Sequence, residues 1–355
     1  MKSSRIFFLA TDNNIPSGGR KFIYKLVDLL REQGQKAYVL HQRNGFRYSW
    51  FANETPVRWT PEIQIAKRRK RGRLSLLKYN LNRGIQCLSA NKLKTSKAYI
   101  TDSDILVLPE NRVTHLHHIF PGVPKVVLNQ NPYFFLYKSN LSDVGNTIRH
   151  PDIQAWWSTS NLIEQTLKYI GISQPNYRIP YYIDHMLFHY SASKKKQIAY
   201  MPRRLKDDAI ALINLLKLRG KLQGFRFVPI DGKPPEEVAT ILRESMIFLS
   251  FSYREGFGLP PAEAMACGCI VVGYTGNAGK EFMDQNLCYP ICEGDLIDYA
   301  SKVEKVIEIS ELHPQALTKM AKQASEFILR TYNRQNTADA LKKALSGSVE
   351  SKIAL

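Results

Sequence analysis

No apolar run in this chain approaches the ~20 residues that a membrane-spanning helix needs. The early stretch at residues 5–10 (RIFFLA) is closed by Asp12 before it could serve as the core of a signal peptide. A cytoplasmic protein is therefore expected. Cysteine is scarce and odd in number, with five (Cys87, Cys267, Cys269, Cys288 and Cys292) in 355 residues, which excludes a disulfide framework and fits reduced thiols. No His near Cys288 and Cys292 completes the four ligands of a structural zinc site, so no metal is expected there. The dinucleotide fingerprint G-x-G-x-x-G is also missing. Acid is in deficit, with 31 Asp and Glu against 50 Lys and Arg, a net charge of +19. That surplus suits phosphate-rich partners: anionic lipid, nucleic acid or nucleotide-linked substrates. Much of it is concentrated in KRRKRGR, from Lys67 to Arg73. Docking of that run on an anionic membrane surface is one expectation, and a merely solvated basic face is the other.

The chain is long enough for two domains, and its 44% apolar content is that of a globular protein. One stretch organises it. Residues 246–251 (MIFLSF) read as a buried strand, followed by a polar turn, Gly256 and Gly258, and then Pro260 and Pro261, which can open a helix. Gly268 ends that short helix, Glu263 falls in its first turn, and residues 269–274 form the next strand. In an open α/β sheet the loop after a strand's carboxyl end borders the ligand crevice, so Glu255 to Leu259 should face a site. Free amides at the helix start suit a phosphate, and glycines at 256 and 258 allow close approach. Glu255 and Glu263, one on a loop and one on a helix, should touch different parts of a ligand, with vicinal hydroxyls as the natural donors to each.

Taken in order, the chain opens with a strand at 5–10, a loop containing Gly18 and Gly19, a helix at 21–33 and a strand at 37–40. Residues 43–97 are irregular, basic and aromatic; Trp50, Phe51 and Trp59 stack on sugar faces, enter a membrane interface or simply pack. Asp102 and Asp104 precede the strand at 105–108 and read as a turn. His115, His117 and His118 have no partners that would make a metal cluster. A strand at 124–128 ends in Asn129, Gln130 and Asn131, neutral amides able to bond sugar hydroxyls but not to act as a base. A strand at 156–160, a helix at 161–169 and an extended linker at 178–188 lead to SASKKK, near a domain boundary. The strand at 198–201 then delivers Arg203, Arg204 and Lys206 at the same sheet edge as Glu255, where paired cations suit a diphosphate. A strand at 225–229, a helix from 234 and amphipathic helices from 296 onward complete the chain.

Glu255, seven intervening residues and Glu263, in the wording EGFGLPPAEAMACG, resemble the E-x7-E signature of retaining GT-B glycosyltransferases, family 4 in particular. The resemblance implies an α/β fold of two Rossmann-like domains facing a cleft. Residues 1–185, with 336–355 packing back, would bind the acceptor, and 186–335 the nucleotide sugar. It implies that Glu263 holds the ribose, and that Glu255, Gly256, Phe257 and Gly258 hold the donor sugar and diphosphate, with Leu259 beside them. Arg203 and Arg204 match the family's diphosphate cations, with Lys206 less closely placed and Pro202 where Gly is usual. Gly18 and Gly19 resemble the family's first-strand phosphate loop, and Gly276, Asn277 and Gly279 its glycine loop beside the donor. Asn129 to Asn131 stand where many members have a His, leaving Asn129 and Asn131 as candidates for the acceptor side. The implied reaction is metal-independent transfer of a hexose to a hydroxyl of a glycan or lipid-linked acceptor, in polysaccharide biosynthesis, with no cofactor. Two other classes share features with the chain: a GT-B-fold nucleotide-sugar epimerase, and a basic nucleic-acid binder, for which no stacking or groove-reading motif is present.

Overall fold

The structure, a computed structural model, describes residues 4–62, 95–113, 119–138 and 148–350. The run from Lys67 to Arg73, Cys87 and the histidines at 115, 117 and 118 lie outside them.

Strands buried on both faces are near-continuously apolar, and a sheet built from them must be covered by helices on each side. Such strands form two parallel sheets. The first contains β1 (Ile6–Leu9), β2 (Ala37–His41), β3 (Val57–Trp59), β4 (Ser96–Lys97), β5 (Ile105–Pro109), β6 (Lys125–Asn129), β7 (Ile153–Ser158) and β8 (Asn176–Arg178), in the order β4-β3-β2-β1-β5-β6-β7-β8. The second contains β9 (Lys195–Tyr200), β10 (Arg226–Pro229), β11 (Ser245–Glu255), β12 (Ile270–Asn277) and β13 (Tyr289–Ile291), in the order β10-β9-β11-β12-β13. Every residue of β1, β5 and β6 is buried.

Among the described residues three helices belong to the first sheet: α1 (Gly18–Glu32), α2 (Pro132–Lys138) and α3 (Asn161–Ile170). The second carries α4 (Lys206–Arg219), α5 (Pro235–Glu244), α6 (Leu259–Ala266), α7 (Leu296–Leu312) and α8 (Pro314–Thr331). The last helix, α9 (Arg334–Glu350), returns to pack on α1, β7 and β8. There Trp157 Nε1 donates to Ser348 Oγ at 3.2 Å, and Gln33 Nε2 to the Ala338 carbonyl at 2.8 Å. One buried apolar cluster runs from Phe22 and Tyr181 through Phe257 to Phe282 and Tyr332, so both domains share a seam.

Several expectations shift. Helix α1 starts at Gly18 rather than Lys21, because its first turn needs no apolar contact and left no periodic signal. Strands β3, β4 and β13 are two or three residues long and helix α4 is weakly amphipathic, so all four lacked a pattern to read. Asp104 turns the chain before β5 by accepting the Thr101 amide at 2.8 Å, and it also holds the Arg5 guanidinium at 2.7 and 2.8 Å. Trp50 and Phe51 pack with Tyr24 and Tyr48, and Trp59 Nε1 bonds the Thr95 carbonyl, which favours the packing reading of these aromatics. Cys267, Cys269 and Cys288 are buried free thiols and Cys292 is an exposed one. Among the described residues no helix is long and apolar enough to cross a membrane.

Candidate active site

The strand order of the second sheet reverses between β9 and β11, and at such a switch point the loops at the carboxyl ends part to leave a crevice. The loop after β9 brings Arg203 and Arg204 to it, and β11 ends in Glu255. Arg204 Nε lies 3.0 Å from Glu255 Oε1, and Arg204 Nη2 donates to Oε2 at 3.4 Å. Burial pushes the Glu255 carboxyl above its ordinary value; Arg204 and then Arg203 oppose that without cancelling it. Lys206 is exposed at the first position of α4.

Beyond Glu255 the chain turns sharply. Gly258 takes φ 101°, a conformation that suits glycine, and caps α6, whose first positions are Leu259, Pro260 and Pro261. The helix therefore starts one residue earlier than expected, and Glu263 falls past its first turn. Glu263 is half-buried, and burial pushes its carboxyl up to about 7 although Lys25 and Lys21 of α1 pull it down. Burial likewise pushes the Lys25 ammonium down to about 8, with Lys21 adding to that shift while Asp184 and Glu263 oppose it. The Lys25 ammonium also lies 4.0 Å from the centre of the Tyr182 ring. The second carboxylate of the pair thus faces two amines of the opposite domain.

Other expected site residues also make contacts within the protein. A Cβ on Gly256 would come within 1.7 Å of the Gln130 carbonyl oxygen, so this glycine permits a close approach of the first domain's backbone. Gly18 and Gly19 likewise make room for the Leu259 side chain and the Gln130 amide. The Phe257 ring is buried against Tyr181, Phe282 and Tyr332, which leaves only its backbone for a donor. Asn277 pairs in register with Glu255, adopts φ 71° and donates through Nδ2 to Tyr133 Oη at 3.0 Å across the seam. Gly279 is buried in the 3-10 turn Ala278–Glu281 that follows β12.

The two candidate acceptor-side asparagines stand at the end of β6 and just after it. Asn131 Oδ1 accepts from the amides of Tyr133 and Phe134, capping α2, while its Nδ2 donates to the Arg254 carbonyl at 3.1 Å. Asn129 is fully buried and its Oδ1 accepts the Asn131 amide. Asn131 is committed within the protein, because the loop after β6 must satisfy its own buried backbone as it crosses to the other domain, whereas Asn129 Nδ2 is buried with no hydrogen-bond partner among the described residues.

Two arrangements had no local signal. Glu281 takes two bonds from Arg178 Nη2 at 2.8 and 3.1 Å, one from the Asn161 amide at 2.8 Å and one from Tyr332 Oη at 3.0 Å, joining the loop after β12 to β8 and the start of α3. On the first sheet, Asp12 Oδ1 accepts from His41 Nδ1 at 2.9 Å, and His41 Nε2 lies 2.8 Å from Tyr24 Oη, the tautomer being the one that satisfies both contacts. Burial pushes His41 below its ordinary value, with the bond to Asp12 opposing that shift. Sequence separations of 17 to 120 residues made both networks invisible to motif reading. Only Asp12, just past the first strand, lay where an active loop is expected.

Residues 229–327 match the family model described as Glycosyl transferases group 1, which spans the crossing from β10 through α8. The alpha-1,6-glucosyltransferase of Actinobacillus pleuropneumoniae serotype 7 (strain AP76) is 31% identical over 216 residues, a stretch covering 59% of this chain and 64% of that relative. The chain thus matches somewhat under two-thirds of that relative's length. Sucrose-phosphate synthase from Thermosynechococcus elongatus superposes with a TM-score of 0.64 over 96% of this chain and 98% of its own, at 12% identity. Anabaena HepE, solved with UDP and glucose, superposes with a TM-score of 0.64 over 97% and 99% of the two chains, at 14% identity.

Proposed function

The fold is GT-B, two parallel-sheet α/β domains, and a Glycosyl transferases group 1 domain lies in its second half; from these we propose a retaining glycosyltransferase of family 4. It would move a hexose from a nucleoside diphosphate sugar to a hydroxyl of a glycan or lipid-linked acceptor, in the cytoplasm, without metal or cofactor. The observation that carries this reading is the Arg204–Glu255 pair at the switch point of the second sheet, 3.0 Å apart and beside the start of α6. Arg203, Arg204 and the free amides of α6 would take the diphosphate, whose charge grows as the bond from C1 to the phosphate oxygen breaks. Glu255 would accept hydroxyls of the sugar and Glu263 those of the ribose. The acceptor oxygen bonds C1 on the face that the phosphate leaves, and its proton passes to the departing phosphate oxygen, so no separate base is needed.

UDP-glucose is the first donor to try, since the A. pleuropneumoniae relative is named a glucosyltransferase and HepE was solved with UDP and glucose. The test is NMR of the product formed from an α-linked nucleotide sugar and a panel of glycan acceptors, with chelator present. An α-linked product is expected. A β-linked product would overturn retention, and turnover lost to chelator would overturn metal independence. A new nucleotide sugar formed without acceptor would favour epimerisation, for which the comparisons give no support. The same proposal includes docking through Lys67 to Arg73 on an anionic membrane. Cosedimentation with phosphatidylserine vesicles should exceed that with phosphatidylcholine, and equal pelleting would remove the membrane from the account.

A further inference from the structure

Each sheet has one place where its strand order turns around. In the second it holds Arg204 and Glu255. In the first it lies between β1 and β5, where the loop after β1 carries Asp12 and the turn after β5 carries Arg112. Ligands of open α/β sheets sit at such points, so the charges assembled there bear on what the first domain binds.

Asp12 is spoken for. Its Oδ1 accepts from His41 Nδ1 at 2.9 Å and the Gln42 amide at 3.2 Å, and its Oδ2 from the Arg43 amide at 2.8 Å and Arg43 Nε at 3.3 Å. Arg112 is not. Among the described residues it makes no hydrogen bond or ion pair, and its Nε is buried without a partner. The side chain is half-buried, and burial pushes its guanidinium below the ordinary arginine value, with only Asp12 and Tyr48 opposing. Nor is it the only cation there. Arg20, in the first turn of α1, acts on Tyr48 in the same sense as Arg112, and Tyr48 Oη is fixed by donating to the Thr11 carbonyl at 2.7 Å. An unpaired, partly desolvated guanidinium is costly, and planar oxyanions are what its fork of donors best satisfies.

Resting on the glycosyltransferase reading, we infer that the acceptor carries an oxyanion, a sugar carboxylate or a phosphate, and that Arg112 at the switch point of the first sheet is the residue that selects for it. Arg112 does not touch the bond being made. It holds the acceptor by its charge, with Arg20 adding to the field, and so determines which hydroxyl-bearing molecules occupy the first domain beside the donor.

The test uses the full chain saturated with UDP, so that the diphosphate site is filled, and compares three matched sugars by calorimetry or saturation-transfer NMR: methyl α-glucoside, methyl α-glucuronide and glucose 6-phosphate. One anionic sugar should bind about tenfold or more tightly than the neutral one, the size of a charge-assisted bond. The glucuronide and phosphate arms tell the two oxyanions apart. Arg112→Gln should abolish the preference and leave UDP affinity unchanged, and Arg112→Lys should keep part of it. Because Arg112 has no partner to strand among the described residues, Arg112→Gln should melt at or above the parent temperature. Equal binding of all three sugars to the parent, or a preference that survives Arg112→Gln, would overturn the inference. So would a lowered melting temperature with UDP binding weakened in step, which would make Arg112 structural. UDP that fails to bind the parent would instead sink the glycosyltransferase reading, and the parent-against-Gln comparison without UDP would still read Arg112.

Discussion

Glu263 is the residue whose chemistry depends most on pH. Its carboxyl is pushed up to about 7, so between the ordinary glutamate value and about 7 the folded chain keeps a proton that the unfolded chain has lost. Its contribution to stability is full below the ordinary glutamate value, declines as pH rises through that window and is gone above about 7. Donor binding should run the other way, because ribose hydroxyls donate to a carboxylate. Calorimetry of UDP should therefore give affinity that rises from pH 6 to pH 8, and Glu263→Gln should flatten that rise; an unchanged slope in the variant would place the titration elsewhere. Arg204→Gln should lower kcat by about 10²–10³-fold, the usual cost of losing a preorganised charge at a departing group, with unchanged kcat as the contrary result. The two glutamates were legible because the E-x7-E spacing and its glycines and prolines are local. What faces Glu263 was not, since Lys21 and Lys25 lie more than 200 residues earlier and only the fold brings them near.

Elements explain why the glycines matter. Gly256 lies where the end of β11 meets the loop after β6, with a backbone carbonyl 1.7 Å from its would-be Cβ. A carbonyl held in a crossing loop cannot step aside cheaply, so Gly256→Ala should cost about 1–3 kcal/mol, the range for overpacking. Gly18→Ala meets only the far end of the flexible Leu259 side chain and should cost clearly less. Urea unfolding of both variants checks the order, and equal costs would mean that the seam yields as a unit. The strand, turn, helix and strand from β11 to β12 could be read because apolar runs and Pro–Gly punctuation mark them. The short edge strands and α4 could not, since two or three residues carry no period. The capping role of Asn131 was hidden for a related reason: a cap and a ligand-binding amide look alike until the amides around them are seen.

At the scale of the molecule, the two domains are joined by the aromatic seam around Phe257 and by the Glu281 network. Glu281 has a side chain only 4% exposed and bonds Arg178, Asn161 and Tyr332. Removing it leaves the Asn161 amide and Tyr332 Oη without that acceptor while Arg178 keeps Glu164 and Asn161 Oδ1, so Glu281→Ala should destabilise the protein by about 1–3 kcal/mol. Chemical denaturation reads this, and a loss below 1 kcal/mol would show the network to be well solvated. The α/β character of both halves was legible from alternating strand and helix patterns, and the GT-B arrangement from the resemblance carried by Glu255 to Glu263. The contacts that set one half against the other were not, because they unite β8, α3 and the loop after β12 across more than 100 residues.

The most direct measurement is the crystal structure of the protein with UDP. The account predicts the diphosphate between Arg203, Arg204 and the amides at the start of α6, with the ribose hydroxyls on Glu263. UDP bound away from the β9–β11 switch point, or a ribose that leaves Glu263 untouched, would contradict it.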